Sequence, residues 1–153
     1  MSSNRRGLLG AALASINAAL ALGATRAPAD TPGSMPDKRK VVYHLADLDK
    51  VTFVLGNIQN HFDGMGGPDK VTIALVVHGP ALKAFHAASA NPEVKKRVAE
   101  YAGAGARLAA CGHTMKAQEI TLKDLLPGFV VADEGGVVRI AELQSQGYVY
   151  LRP

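Results

Sequence analysis

The chain has 153 residues, 48% of them hydrophobic and 20% charged, with 17 Lys+Arg, 13 Asp+Glu, no Trp and one cysteine. That is the scale of one globular domain, and a lone thiol excludes an intrachain disulfide framework and any multi-cysteine zinc or iron–sulfur site. An aromatic share of 5% argues against a nucleic-acid surface, as does the placement of charge: residues 1 to 29 hold Arg5, Arg6 and Arg26 without an acid, leaving 14 basic and 13 acidic residues beyond.

Arg5 and Arg6 stand ahead of an apolar stretch from residue 8 to 24, and Ala27, Pro28 and Ala29 supply a small-residue cleavage site. Residues 1 to 29 therefore read as a twin-arginine-like signal peptide, cleaved after Ala29 to leave a periplasmic protein without stable membrane insertion. Ser15, Asn17 and glycines interrupt the apolar run, which argues against an anchor of about 20 strongly apolar residues. Residues 30 to 39, with Pro32, Gly33 and Pro36, are expected to form a disordered lead-in to a domain spanning 40 to 153.

Residues 40 to 44 and 71 to 77 are unbroken apolar runs, as strands covered on both faces require. Between them Leu48, Val51, Leu55, Ile58 and Phe62 recur at helical spacing, with Asp47 or Asp49 as cap and the glycines from 64 to 67 ending the helix. Asn91, Pro92 and Glu93 open a second helix that ends at Gly103. Residues 108 to 111 form strand three, a helix starts near Thr114, and Thr121 with Asp124 suggests a capping box. Residues 129 to 132 form strand four, 136 to 146 a helix, and 148 to 151 strand five. The alternation predicts a three-layer α/β/α fold around a five-stranded, mainly parallel sheet, with the flavodoxin-like order 2-1-3-4-5 as the expected arrangement.

Ligands of such sheets bind beyond the carboxyl ends of the strands. His44, His78 and Cys111 follow strands one, two and three. With strand one in the middle and neighbours about 4.8 Å apart, all three would face one crevice. Cys111 precedes Gly112, His113, Thr114, Met115 and Lys116 at a helix start, where unpaired amides, the helix dipole, His113 and Lys116 favour a thiolate. Cys111 is thus a candidate nucleophile, and His78 or His113 a candidate proton carrier or donor-binding group. His44, Gly79, Gly112, Thr114 and Lys116 are candidate substrate-binding residues, and a larger side chain at Gly112 is expected to crowd the donor's approach or strain the strand-to-helix turn, slowing the reaction more than it destabilises the domain. His61 and His86 read as surface residues, and Asp47 and Asp49 as caps.

Two other readings of these residues stand beside that one: an inert cysteine in a packing slot, and a non-enzymatic small-ligand, copper or zinc module using Cys111 with His44 and His78. The glycines from 64 to 67 precede a strand and form a turn, not a phosphate loop. No Walker motif, dinucleotide fingerprint or Gly-x-Ser-x-Gly elbow is present, so no cofactor is implied.

The segments Val41-Val42-Tyr43-His44, Val76-Val77-His78-Gly79-Pro80-Ala81 and Ala110-Cys111-Gly112-His113-Thr114-Met115 together resemble the DsrE/DsrF-like (YchN-like) family. Leu125-Leu126-Pro127-Gly128-Phe129 and Gly135-Gly136-Val137 extend the resemblance across the domain. It implies an α/β/α fold, assembly as homo-oligomers (trimers or hexamers), and sulfur carriers that hold sulfane sulfur as a cysteine persulfide. Cys111 matches the carrier cysteine, with a thiol or sulfane-sulfur compound as donor and acceptor. Such relays work in the cytoplasm, whereas the export signal predicts a periplasmic protein. Fold therefore transfers more safely than pathway.

Overall fold

A computed structural model describes residues 38 to 153; the expected export signal and all but the last two residues of the expected lead-in lie outside the described residues. The elements in order are β1 (Arg39–Leu45), α1 (Val51–Met65), β2 (Val71–Val77), α2 (Pro92–Gly103), β3 (Arg107–Cys111), α3 (Gly112–Ala117), β4 (Phe129–Ala132), α4 (Gly136–Ser145) and β5 (Val149–Leu151). Short 3-10 segments cover Leu48–Lys50, Gly79–Phe85 and Leu122–Asp124.

Local chemistry sets the boundaries. The Asn91 side chain accepts a 2.8 Å bond from the Glu93 N–H, satisfying an orphan donor at the start of α2, and Pro92 loses nothing there because its amide would be unpaired. Val94, Val98 and Tyr101 then point inward together. The helix after β1 begins later than its spacing suggested. Leu48 lies in the 3-10 turn and is 48% exposed, while Val51, Val54, Leu55, Ile58 and Phe62 form the buried stripe. Asp47 makes no side-chain cap and instead pairs with Arg152 at 3.2 Å. The Thr121–Asp124 capping box forms, but it closes only a three-residue 3-10 turn.

All five strands are parallel, in the order β4-β3-β2-β1-β5. This corrects the flavodoxin-like order: β2, not β1, lies between the other two strands of the site. The physical reason is coverage. From Ile73 to Val77 every β2 residue is buried, so this is the strand that needs neighbours on both sides and layers on both faces. The strand sequence runs in one direction from β1 to β4 and reverses once, between β4 and β5. Right-handed crossovers therefore place the first three helices on one face and α4 on the other. Two cores result. The larger joins α1 and α2 to Tyr43, Leu75, Ala110 and their neighbours, and the smaller joins Ile140 and Leu143 of α4 to Val42, Ala74, Val76 and Ala109. The three-layer α/β/α architecture expected from the sequence is the one found. Among the described residues no helix is long and apolar enough to cross a membrane.

Candidate functional site

Side chains alternate across a sheet, so β1 sends Val42 and His44 toward α4 while Tyr43 and Leu45 face the other core. On β2 and β3 the same face carries Val76 and Ala109, followed at the strand ends by His78 and Cys111. Val77 pairs with Ala110, which sets His78 and Cys111 side by side where the strands end. A Cβ built on Gly136, the first residue of α4, would lie 3.3 Å from the His78 Cβ and 3.4 Å from the Cys111 Cβ. The beginning of α4 thus sits directly over the two residues.

Cys111 is 6% exposed and is the residue preceding α3. Burial alone would push its thiol pKa up. Hydrogen bonding from the Thr114 hydroxyl and from the backbone N–H groups of Thr114, Gly136 and His113 outweighs this and holds the pKa below the ordinary value. These donors come from two helix starts. Those of α3 were legible in the sequence, but Gly136 of α4 was not singled out as part of the site, although a Gly-Gly pair between a strand and a helix mirrors the Cys-Gly pair after β3.

The glycines have specific tasks. Gly135 adopts φ 101° and ψ 158°, a conformation open to glycine alone, and a Cβ there would come within 2.8 Å of the His113 ring. Gly112 has a packing role. A Cβ on it would meet the carbonyl oxygen of Ala132 at 3.1 Å and the backbone of Asp133 at 3.3 Å, so its lack of a side chain admits the β4–α4 connection. A larger residue there is accordingly expected to destabilise the domain as well as to slow the reaction.

Thr114 and Gly79 join the halves of the site. The Gly79 N–H donates to Thr114 Oγ1 at 2.9 Å, and Gln118 Nε2 donates to the Gly79 carbonyl at 3.0 Å. Gln118 Oε1 in turn lies 2.9 Å from His86 Nε2. His86 and His61 are half-buried and hydrogen-bonded, not simple surface residues; His61 Nδ1 lies 2.9 Å from the Tyr43 hydroxyl on the opposite face of the sheet. His113 reaches the thiol through its backbone N–H, and its ring rests over Gly135. Lys116 is exposed in the last turn of α3, and the groups that lower the thiol pKa are hydrogen-bond donors, not its charge.

His44 reaches the site by way of His78. Their rings, 20° from parallel with centroids 4.7 Å apart, meet edge to edge with Nε2 against Nε2, and His44 Nδ1 lies 2.7 Å from the Tyr150 hydroxyl. Burial lowers both imidazole pKa values; for His44 the field of His78 and then Arg152 adds to this, for His78 that of Arg152, and Asp47 opposes in each case. Both rings are neutral at neutral pH, but they protonate freely in the unfolded chain. The unfolded state therefore binds more protons as pH falls below 6.5, the ordinary histidine value. Stability should be full above that value and decline below it, as followed by urea unfolding between about pH 7 and 5, where carboxylates contribute little. A His44→Gln, His78→Gln double variant should show a flatter slope.

The histidine pair bears on the metal reading. Among the described residues no group of three or more His, Cys, Asp and Glu side chains is placed to hold a metal ion. His44, His78 and Cys111 are neighbours in series, not ligands around one point.

A family model described as DsrE/DsrF-like matches residues 41–153. Among solved structures, the protein of unknown function MTH1491 from Methanobacterium thermoautotrophicum is 29% identical, with a TM-score of 0.65 over 75% of this chain and 99% of that one. The conserved protein of unknown function BT1422 from Bacteroides thetaiotaomicron is 16% identical, with a TM-score of 0.58 over 79% of this chain and 100% of that one. The ychN protein from E. coli is 10% identical, with a TM-score of 0.54 over 74% and 99%. At such identities the last two show likeness of fold alone. No match was found among curated proteins.

Proposed function

Because the chain belongs to the DsrE/DsrF-like family, a family of sulfur-relay type, we propose that it is an exported sulfur carrier whose Cys111 thiolate accepts sulfane sulfur and passes it on. The observation that carries this reading is the placement of the Cys111 thiol at the end of β3, beneath the start of α4 at Gly136 and at the start of α3, where backbone N–H groups and the Thr114 hydroxyl hydrogen-bond the sulfur. The thiolate attacks the outer sulfur of a persulfide donor. A bond forms between Cys111 Sγ and that sulfur, the donor's S–S bond breaks, and the donor leaves as a thiolate. An acceptor thiolate then takes the outer sulfur and returns Cys111 to its starting state. No external oxidant or reductant is consumed. The same hydrogen-bond donors suit the persulfide anion.

The intact mass of protein incubated with polysulfide, before and after mild reduction, tests this. One reducible added sulfur is expected on the native chain and none on Cys111→Ser. An adduct that persists in Cys111→Ser, or no adduct on either, overturns the proposal, and copurifying zinc or copper lost with Cys111 would favour the metal-binding alternative.

Export rests on Arg5, Arg6 and the small-residue site ending at Ala29. Replacing both arginines by lysine should leave uncleaved precursor in the cytoplasm, and unchanged processing would refute the twin-arginine route. Assembly into a homo-oligomer, trimer or hexamer, is supported by the surface along β5. That strand is a sheet edge with Val149 61% exposed, next to a cleft of about 440 Å3 between α1 and the chain end. Light scattering at micromolar concentration should report more than one subunit.

A further inference from the structure

The contact between His44 Nε2 and His78 Nε2 has room for one hydrogen, carried by one ring and accepted by the other. Which ring carries it depends on the next group outward. The Tyr150 hydroxyl lies 2.7 Å from His44 Nδ1, and a phenol is a much better donor to an imidazole nitrogen than an acceptor from one. When Tyr150 donates, neutral His44 must bear its hydrogen on Nε2 and donate to His78 Nε2. Neutral His78 must then bear its own hydrogen on Nδ1. The chain of three side chains therefore has a direction. It starts at a hydroxyl on the exposed edge strand β5 and ends at the residue beside Cys111.

The charged groups acting on both rings are Arg152 and Asp47, which are paired with each other at 3.2 Å. Their fields on each ring oppose one another, which leaves the tautomer choice to the hydrogen-bond chain.

We infer that Tyr150 is a positioning residue: through His44 it fixes the His78 hydrogen on Nδ1 and so presents His78 to the Cys111 site as a donor and not as a base. His78 is not among the groups that hydrogen-bond the Cys111 sulfur itself; its Nδ1 hydrogen is offered to the molecule that docks beside the sulfur, a departing donor thiolate or the carbonyl oxygen of an alkylating amide alike. The hydrogen stays on His78 throughout, so no proton leaves the pair during transfer. The chemical consequence rests on the sulfur-handling reading of Cys111, whereas the tautomer assignment does not.

Long-range 1H–15N spectra of the full chain at neutral pH read the tautomers directly. The native protein should show His44 as Nε2–H and His78 as Nδ1–H. Tyr150→Phe keeps the ring and removes the hydroxyl; it should shift His44 toward Nδ1–H and His78 toward Nε2–H. Cys111 alkylation by iodoacetamide at neutral pH should slow about threefold in the same variant, the scale of one neutral hydrogen bond. The opposite tautomers in the native protein, which requires no variant, overturn the inference. So do tautomers that ignore Tyr150→Phe, or that shift while the alkylation rate does not. If the tautomers and the rate respond as stated but polysulfide adds no reducible sulfur, the positioning role stands and the carrier reading fails.

Discussion

Gly136→Val is expected to cost the domain about 3 kcal/mol and to slow Cys111 alkylation at neutral pH. A single added Cβ already meets His78 at 3.3 Å and Cys111 and Val76 at 3.4 Å, on three sides of the slot. The two further methyls of valine have no space, and α4 must lift from the sheet. Overpacking of this kind costs about 1–3 kcal/mol, a large part of a small domain's stability of about 5–15 kcal/mol. Lifting α4 also withdraws the Gly136 N–H from the sulfur, so the thiol pKa should rise toward its ordinary value. Urea unfolding and the pH dependence of alkylation separate the two effects. Gly136→Ala should show both in weaker form. A variant as stable as the native chain would mean that α4 does not pack against the strand ends.

Thr114→Val should produce the largest loss of reactivity short of removing the thiol. The Thr114 hydroxyl contributes to holding the Cys111 pKa down, and its oxygen accepts the Gly79 N–H at 2.9 Å. Hydrogen bonds to charged groups contribute about 1.5–3 kcal/mol, so alkylation at neutral pH should fall about tenfold or more. Valine keeps the shape but leaves the Gly79 N–H without its acceptor, so thermal stability should drop as well. Thr114→Ser restores the hydroxyl and should recover most of both. If serine fails to rescue the rate, the methyl group's packing matters more than the hydroxyl and the electrostatic account of the thiol is wrong.

The parts of this fold that were legible in the sequence are those governed by neighbours along the chain. The apolar run from 71 to 77, the Asn91-Pro92-Glu93 helix start and strand four at 129 to 132 each carry their own signal, and each appears in place. Strand order was not legible because a helix-bearing connection long enough for a crossover joins every successive pair, and local pattern does not say on which side a strand adds. The unbroken run of β2 was the available hint that it is central. Strand order decides which side chains of the site meet. With β1 in the middle, His44 would have stood next to Cys111; with β2 there, His44 contacts His78 instead. Gly136 and Tyr150 were out of reach for a related reason, since each meets its partners across 25 or more positions of chain. Leu48 shows the reverse limit: its spacing fitted the helical stripe, but the 3-10 turn after β1 rotates it toward solvent.

The Gly79 peptide is tied at both its N–H and its carbonyl to α3. The segment bearing His78 and the helix beginning next to Cys111 are thereby coupled and should move as one body, and amide exchange at Gly79 should be slow even though it lies in a turn. Under the proposed carrier role, a sulfur held there has no swinging arm. Its outer atom extends only about 2 Å past Sγ, so delivery depends on an acceptor docking at the strand ends with its own thiolate already aligned. Transfer should accordingly follow the concentration of both proteins and saturate only when they form a complex. Viscosity and interface substitutions would then alter the rate more than any change in the length or flexibility of this chain's loops.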